Sequence, residues 1–319
     1  MLKVRGLKLL TFSTQGSRPR LGVLIDDGRV LDVGMAYKLL FEAKPPRVLR
    51  DMKSLIASGD IGLRLLDLVK CQAVKAVRSN DEVAELLSKN AVHPLESIKF
   101  HPPIPNPEKA LFVAVNYWSH AREIGVEPPE KPYFFMKLGN TLVAHRDPVI
   151  IPRTATKPDH EVELAVIIGK EGKYIDRGTA MNYVFGYTIV NDVSLRDRQA
   201  PIPRLGIRWL HAKSFDTGAP IGPWVVTRDE IEDPHNLRLE LRVNGEVRQE
   251  GSTGDMIFKI PELLETASDG VTLKPGDVIA TGTPQGVGAA TGRFLRDGDV
   301  MSASIERIGV LVNTVVFER

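Results

Sequence analysis

Cysteine is nearly absent from this sequence. Cys71 is the single cysteine among 319 residues, so no disulfide bond can form within the chain. Because disulfides are characteristic of oxidising compartments, we predict a reducing environment for the protein. At helical spacing Cys71 shares a face with Leu68 and Val74, which favours a small buried core residue over a reactive nucleophile.

Long apolar runs and a strong charge imbalance are also missing. No window approaches the roughly 18 consecutive apolar residues that a membrane-spanning helix needs. The first residues, Met1 to Arg5, contain no apolar segment of signal-peptide length. The formal net charge of +2 is too small to indicate nucleic acid as the main partner. We therefore expect a cytoplasmic protein that binds neither membranes nor nucleic acids.

The first part of the chain, residues 1–98, has the pattern of a small accessory α+β domain. Apolar runs predict strands at 7–12, 20–25 and 29–33. Asp26-Asp27-Gly28 is a tight-turn signal between the last two, so we expect an antiparallel meander. The spacing of apolar residues between 48 and 87 then predicts short helices.

A proline-rich segment, 101–107, separates this part from the rest of the chain and predicts a stiff linker without regular structure. Beyond it, short apolar runs alternate with turn signals such as Asn244-Gly245. Helical patterning is limited there to 178–181 and 260–268. The sequence therefore predicts a mainly β (α+β) protein whose larger domain covers 99–319.

Two carboxylates at the start of an apolar run form the first candidate site. Glu161 and Glu163 precede Ala165-Val166-Ile167-Ile168, so strand spacing puts both on one face of a strand that enters the core. Asp192 interrupts a second β-branched run, 187–193. If the three converge, hard oxygen donors without cysteine or histidine would select Mg²⁺, Mn²⁺ or Ca²⁺. The alternatives are a solvated strand face for the glutamates and a turn residue in the case of Asp192.

His120 and Glu123 form a second candidate site. The two residues are three apart, so they are neighbours on one face if the segment is helical. A carboxylate beside an imidazole orients the ring and raises its basicity, which a general base for water requires. The alternative is an exposed short helix without a chemical role.

A glycine-rich segment, 281–288, follows the predicted strand Val278-Ile279-Ala280. Its small residues would let the backbone approach a ligand closely, and its hydroxyl groups could bind a carboxylate. An ordinary surface loop is the alternative. The glycine spacing is wrong for a nucleotide-binding loop and no apolar helix follows, so we exclude that function.

Five motifs in a fixed order carry a resemblance to a known family. They are Asn116-Tyr117-x-x-His120-x-x-Glu123, Glu161-x-Glu163, Asp192-x-x-x-Arg196-x-x-Gln199, Lys213-Ser214-Phe215-Asp216 and Thr281-Gly282-Thr283-Pro284-x-Gly286-Val287-Gly288. Together they resemble the fumarylacetoacetate hydrolase superfamily over about residues 109–317. The resemblance implies a mixed β-sandwich roll with a small N-terminal α+β domain, and it also implies a homodimer.

The resemblance also implies roles for individual residues. His120 would be the base that activates water, Glu123 its partner, and Lys213 the cation that stabilises developing oxyanion or enolate charge. The divalent cation would be held by the three carboxylates Glu161, Glu163 and Asp192. The implied substrate-binding residues are Asn116, Tyr117, Arg196, Gln199, Thr281, Gly282 and Thr283.

One departure narrows the expected reaction. Val113 stands where fumarylacetoacetases have a further metal-binding aspartate, and Asn116-Tyr117 resembles the acylpyruvate hydrolase and oxaloacetate decarboxylase branch. We therefore expect a divalent-metal-dependent hydrolase that cleaves a carbon–carbon bond in a small acylpyruvate-like 2-oxo acid. The alternatives are decarboxylation, isomerisation or dehydration of a 2-oxo or 2-hydroxydienoic acid, and a metal-bound binding protein without turnover.

Overall fold

The computed structural model describes residues 6–79, 82–199 and 206–319. The N-terminal strands are β1 (Lys8–Ser13), β2 (Arg20–Leu24), β3 (Arg29–Asp32), β4 (Val92–Pro94) and β5 (Lys99–His101). The N-terminal helices are α1 (Val33–Phe41), α2 (Met52–Ala57), α3 (Gly59–Val77) and α4 (Glu82–Asn90). β1, β2 and β3 pair antiparallel in chain order, which confirms the predicted meander.

The helices of this part differ from the prediction in two respects. α3 has 19 residues and is not short, because one apolar stripe holds it against the core along its whole length. The buried residues of α3 are Gly62, Leu66, Val69 and Ala73. Cys71 lies off this stripe and is exposed, so the prediction of a buried cysteine was wrong.

The remaining elements are mostly short strands. The strands are β6 (Ala110–Ala114), β7 (Tyr133–Met136), β8 (Leu142–Val143), β9 (Val149–Ile151), β10 (Pro158–Asp159), β11 (Val162–Ile168), β12 (Val184–Asn191), β13 (Ser194–Leu195), β14 (Ala219–Thr227), β15 (Arg238–Val243), β16 (Glu246–Ser252), β17 (Val278–Ala280), β18 (Val300–Ile305) and β19 (Gly309–Phe317). The α-helices are α5 (Trp118–Ile124), α6 (Arg196–Gln199), α7 (Trp209–Lys213), α8 (Ile260–Ala267) and α9 (Gly288–Thr291). Single 3₁₀ turns cover Arg47–Leu49, Gly139–Thr141, Ala180–Tyr183, Arg228–Glu230 and Thr253–Asp255.

The largest sheet joins both parts of the chain. Its strand order is β4-β3-β2-β1-β14-β12-β11-β17-β6-β7, with β5 added on β1 and β8 on β14. β1 pairs antiparallel with β14 through Lys8 and Leu9, so the N-terminal meander continues the sheet of the larger part. The proline-rich residues 102–107 form neither helix nor strand. A division of the chain after residue 98 remains a prediction.

A second sheet covers one face of the first. It has the order β16-β15-β18-β19-β9 and contains both antiparallel and parallel pairs. β11 alternates between the two sides: Val162 and Leu164 lie in the core between the sheets, whereas Ala165 and Ile167 lie in the core shared with the N-terminal helices. The predicted mainly β, mixed-sheet fold is confirmed. Within the described ranges, no helix combines the length and the apolar character needed to cross a bilayer.

Candidate active site

The pairing of β11 with β12 brings the three predicted carboxylates together. The strands are antiparallel, with Val162 opposite Asn191, so Glu161 and Asp192 meet where β11 begins and β12 ends. The Asp192 backbone N–H donates to the Glu161 carbonyl at 2.8 Å. One oxygen from each of Glu161, Glu163 and Asp192 lies within 4.8 Å of the others, and all three residues are buried. The alternative of a solvated strand face is therefore excluded.

Buried cations surround two of these carboxylates. Lys213 Nζ donates to Glu161 Oε2 at 2.7 Å and to Asp192 Oδ2 at 2.6 Å. Arg196 donates to the other oxygen of Glu161. Lys137 Nζ lies 2.6 Å from Asp192 Oδ1. Burying a charge without a partner is costly, so these contacts are what allow ionised carboxylates to persist here.

Glu163 differs from its two neighbours. Burial would raise the pKa of Glu161, but the cations of Arg196 and Lys213 outweigh burial and hold that pKa below its usual range. For Glu163, burial together with the negative charges of Asp192 and Glu161 raises the pKa well above its usual range. The hydrogen bond that Glu163 receives comes from the Gly282 N–H, at 2.8 Å. Among the described residues, no cation is hydrogen-bonded to Glu163, and a buried carboxylate of this kind beside two others suits a divalent cation that prefers oxygen ligands.

Sequence reasoning missed Lys137. Its side chain is buried, and Nζ also donates to the carbonyls of Val193 at 3.0 Å and Gly218 at 2.8 Å. The ammonium thus fixes the backbone after Asp192 while it neutralises that carboxylate. A lone charge in the apolar run 133–138 was the available signal, because a lysine in such a run needs a buried partner.

His120 and Glu123 lie on α5, as predicted. His120 Nδ1 is 3.4 Å from Glu123 Oε2, and Glu123 Oε1 accepts a hydrogen bond from the Gly286 N–H at 2.7 Å. Glu123 therefore links the imidazole to the glycine-rich loop. His120 is 7% exposed, so the alternative of an exposed short helix does not hold for this residue. A carboxylate on Nδ1 favours a proton at that nitrogen and leaves Nε2 to accept one.

A cavity of about 430 Å³ collects most of the predicted residues. The predicted residues that line it are His120, Glu161, Glu163, Asp192, Arg196, Gln199, Lys213 and Thr283. The apolar residues that line it are Val113, Ala114, Val115, Ile124, Val126, Pro129, Tyr133, Phe135, Ile207, Trp209, Val287 and Ala289. Acidic, basic and apolar groups thus share one concave site, as in small-molecule binding sites.

Asn116 and Tyr117 do not line this cavity. The Asn116 side chain donates to the carbonyls of Phe258 at 3.1 Å and Thr281 at 2.8 Å, and accepts from the Phe258 N–H at 2.8 Å. The Tyr117 ring is fully buried, and burial raises the pKa of its hydroxyl. The Asn116 side chain therefore ties the segment before α5 to the glycine-rich loop, and the proposed contact of both residues with substrate stays a prediction.

The glycine-rich loop is fixed on β11 by its hydroxyl groups. Thr281 Oγ1 donates to the Leu164 carbonyl at 3.0 Å, and Thr283 Oγ1 donates to the Val162 carbonyl at 2.9 Å. Gly282 has a φ of +89°, and a Cβ atom at this position would meet Asn116 Cβ at 2.9 Å. Glycine is thus required here for the turn that points its N–H at Glu163.

Asp159 is a second residue that sequence reasoning did not assign. Its carboxylate is buried and accepts from Arg196 Nε at 2.8 Å. Three backbone N–H groups also donate to it: His160 at 2.8 Å, Gly288 at 2.6 Å and Ala289 at 2.9 Å. Asp159 therefore joins Arg196 to the start of α9 and holds the guanidinium against the cavity.

Comparison with known proteins identifies the family. The family described as "Fumarylacetoacetate (FAA) hydrolase C-terminal" matches residues 109–316. Oxaloacetate tautomerase YisK of Bacillus subtilis (strain 168) is 41% identical over 305 residues, which are 94% of this chain and 97% of that protein.

Two solved structures are similar to this chain over nearly its whole length. Maleylpyruvate hydrolase from Sphingobium sp. SYK-6, in complex with manganese(II) ion and pyruvate, is 32% identical with a TM-score of 0.72, covering 98% of this chain and 100% of that one. A probable 2-hydroxyhepta-2,4-diene-1,7-dioate isomerase from Mycobacterium abscessus is 31% identical with a TM-score of 0.73, covering 99% of this chain and 100% of that one. The acidic triad and the manganese-containing neighbour together support a divalent metal. As its motifs predicted, the chain belongs to the fumarylacetoacetate hydrolase family of enzymes.

Proposed function

We propose that this protein is a divalent-metal-dependent keto–enol tautomerase of small 2-oxo acids that carry a substituent on C3. The observation that carries the proposal is the 41% identity to an oxaloacetate tautomerase across 94% of the chain. We therefore favour isomerisation, which the sequence analysis gave as an alternative, over carbon–carbon bond hydrolysis. Acid–base groups that line one cavity supply the chemistry that such a reaction needs.

The acidic triad is the proposed metal site. Glu161, Glu163 and Asp192 would hold the cation, which when bound supplies Lewis-acid polarisation of a 2-oxo group. Their all-oxygen donor set favours Mg²⁺, Mn²⁺ or Ca²⁺. Glu163 has no cation bonded to it in the part of the chain that the structure describes, so it is the residue whose charge such an ion would balance.

His120 is the proposed proton carrier. Conversion of keto form to enol removes one proton from C3 and places one on the 2-oxo oxygen, and the reverse reaction returns both. Nε2 of His120 would exchange the C3 proton, while Glu123 keeps the ring oriented from Nδ1. The Lys213 ammonium, buried between Glu161 and Asp192, would stabilise negative charge on the 2-oxo oxygen.

Arg196 and Gln199 are proposed to position the substrate carboxylate. Arg196 donates to Gln199 Oε1 at 2.8 Å, which turns the amide N–H₂ group of Gln199 away from the guanidinium. Both residues line the cavity. A carboxylate bound on this side would place its neighbouring 2-oxo group toward the acidic triad.

Hydrolysis of an acylpyruvate is the second candidate. It is favoured by the similarity to a maleylpyruvate hydrolase that binds manganese(II) and pyruvate. In this reaction His120 would take its proton from water instead of C3. The same side chains therefore serve both reactions, and the substrate decides between them.

Mass spectrometry of a substrate panel in deuterium oxide tests the proposal. The panel contains oxaloacetate, phenylpyruvate, acetylpyruvate and fumarylpyruvate, each incubated with metal-loaded protein. We expect accelerated deuterium incorporation at C3 without change of the carbon skeleton. Cleavage with gain of water would support hydrolysis, and loss of carbon dioxide would indicate decarboxylation. If no acid exchanges its C3 hydrogen faster with the wild-type protein than with His120→Gln protein, the tautomerase proposal is wrong.

Light scattering of the same sample tests the expected homodimer.

A further inference from the structure

One wall of the cavity is a row of three aromatic rings. The Phe135 ring centroid lies 5.2 Å from Lys213 Nζ, so this ring borders the acidic triad. Trp209 stacks on Phe135 with centroids 4.5 Å apart and planes at 5°, and Tyr133 follows at 6.2 Å from Trp209. All three rings line the cavity. Exposure rises from 7% for Phe135 to 52% for Tyr133, so the row leads from the triad to the opening.

The charges around the cavity oppose a second anionic group on the substrate. Among its described lining residues, the lysine and arginine side chains are Lys213, which binds Glu161 and Asp192, and Arg196, which is assigned to the C1 carboxylate of the substrate. Glu127 adds a further negative charge to the lining. Residues 200–205, which include Arg204, lie outside the described part of the chain. A substrate carboxylate placed along the aromatic wall would thus lose hydration without gaining a described cationic partner.

The cavity is also larger than a minimal substrate requires. At about 430 Å³ it falls within the roughly 300–1,000 Å³ range of sites that hold drug-sized ligands. Pyruvate bound at the triad would leave most of the space beside the rings free. Flat apolar groups fill such space well, because offset stacking adds to the gain from burial.

We propose that the site selects 2-oxo acids whose C3 substituent is apolar, and planar aromatic groups above all. Phenylpyruvate and oxaloacetate make the comparison direct, since they share the pyruvate unit and differ in a phenyl or a carboxylate group on C3. Their turnover rests on the proposed tautomerase function. The substituent would lie against Trp209 and Phe135, with the C1 carboxylate at Arg196 and Gln199.

Ligand binding tests this inference, whereas turnover of the keto acids tests the proposed function. N-benzyloxamate and N-oxalylglycine share an oxamate head group and differ in a phenyl or a carboxylate group on the same methylene. In titration calorimetry with the manganese-loaded protein, N-benzyloxamate should bind at least about tenfold more tightly than N-oxalylglycine. Equal or tighter binding of N-oxalylglycine would overturn the inference, whether or not either keto acid is turned over. If the protein tautomerises neither phenylpyruvate nor oxaloacetate, that result would instead count against the proposed function.

Substitutions in α7 test whether Trp209 determines the preference for N-benzyloxamate. Trp209→Ala should reduce the affinity ratio between the two oxamates about tenfold, and Trp209→Phe should retain most of it. Leu210→Ala is the matched control, because Leu210 is 55% exposed and lies outside the cavity lining. A ratio that is unchanged by Trp209→Ala, or lowered as much by Leu210→Ala, would contradict the assignment of the aromatic wall.

Discussion

Replacement of Asp159 by asparagine tests how the site is held together. The carboxylate accepts hydrogen bonds from Arg196 and from the backbone N–H groups of His160, Gly288 and Ala289, and it is fully buried. Asparagine keeps the shape, but its N–H₂ group would face donors where an acceptor is needed. It also removes one of the two carboxylates, Asp159 and Glu161, that balance Arg196. Loss of a buried charged partner, together with buried N–H groups left without an acceptor, costs roughly 3–5 kcal/mol.

Thermal unfolding measures this effect. At roughly 2 °C per kcal/mol for a chain of this size, Asp159→Asn should lower Tm by about 6–10 °C. Asp197→Asn is the matched control, because Asp197 is exposed yet also accepts from two backbone N–H groups, those of Thr156 and Lys157. We expect the control to cost less than about 1 kcal/mol. Equal and small shifts for both variants would refute the view that Asp159 holds Arg196 and α9 in place.

Three further predictions concern single residues. His120→Ala should lower the tautomerisation rate roughly 10²–10⁴-fold in steady-state kinetics, since it removes the proposed base, and wild-type rates would contradict this role. Burial, with help from the Arg146 cation, lowers the pKa of His145 to about 4, below the roughly 6.5 of an unfolded chain. Its contribution to stability is therefore complete above about pH 6.5 and is lost as the pH falls toward 4. Between pH 7.5 and 5, the free energy of unfolding from denaturant titration should fall by about 1–2 kcal/mol more for wild type than for His145→Gln, after allowance for the partial exposure of His145. Equal losses in the two proteins would contradict this role of His145. Cys71 should react with one equivalent of a thiol reagent in the native protein without loss of activity, and a reaction that needs denaturant would show that it is buried.

The strand-borne part of the site could be predicted because it depends on local periodicity. Glu161 and Glu163 alternate with Val162 in a run whose apolar continuation identifies a central strand. The spacing of one helical turn placed His120 and Glu123 on one face of a helix, while their roles came from the family resemblance. The meander at the N-terminus followed in the same way from its turn signal.

Contacts between distant segments could not be predicted in this way. The aromatic wall joins β7 to α7, about 75 residues later, and no local pattern fixes that approach. Lys137 reaches Asp192 across 55 residues. Cys71 was assigned to the wrong side of α3 because apolar residues occur on more than one face of that helix, and tertiary packing selects the stripe through Leu66 and Val69.

We propose that this protein needs a divalent metal at Glu161, Glu163 and Asp192 to act on 2-oxo acids. The most direct test follows the enol forms of phenylpyruvate and oxaloacetate by ultraviolet absorbance with EDTA-treated protein, during titration with Mn²⁺ or Mg²⁺. We predict that activity is lost with the metal and returns at one equivalent per chain. Glu163→Gln should bind the metal weakly and stay inactive while keeping its fold. Full activity of the metal-free protein, or of Glu163→Gln, would contradict the claim.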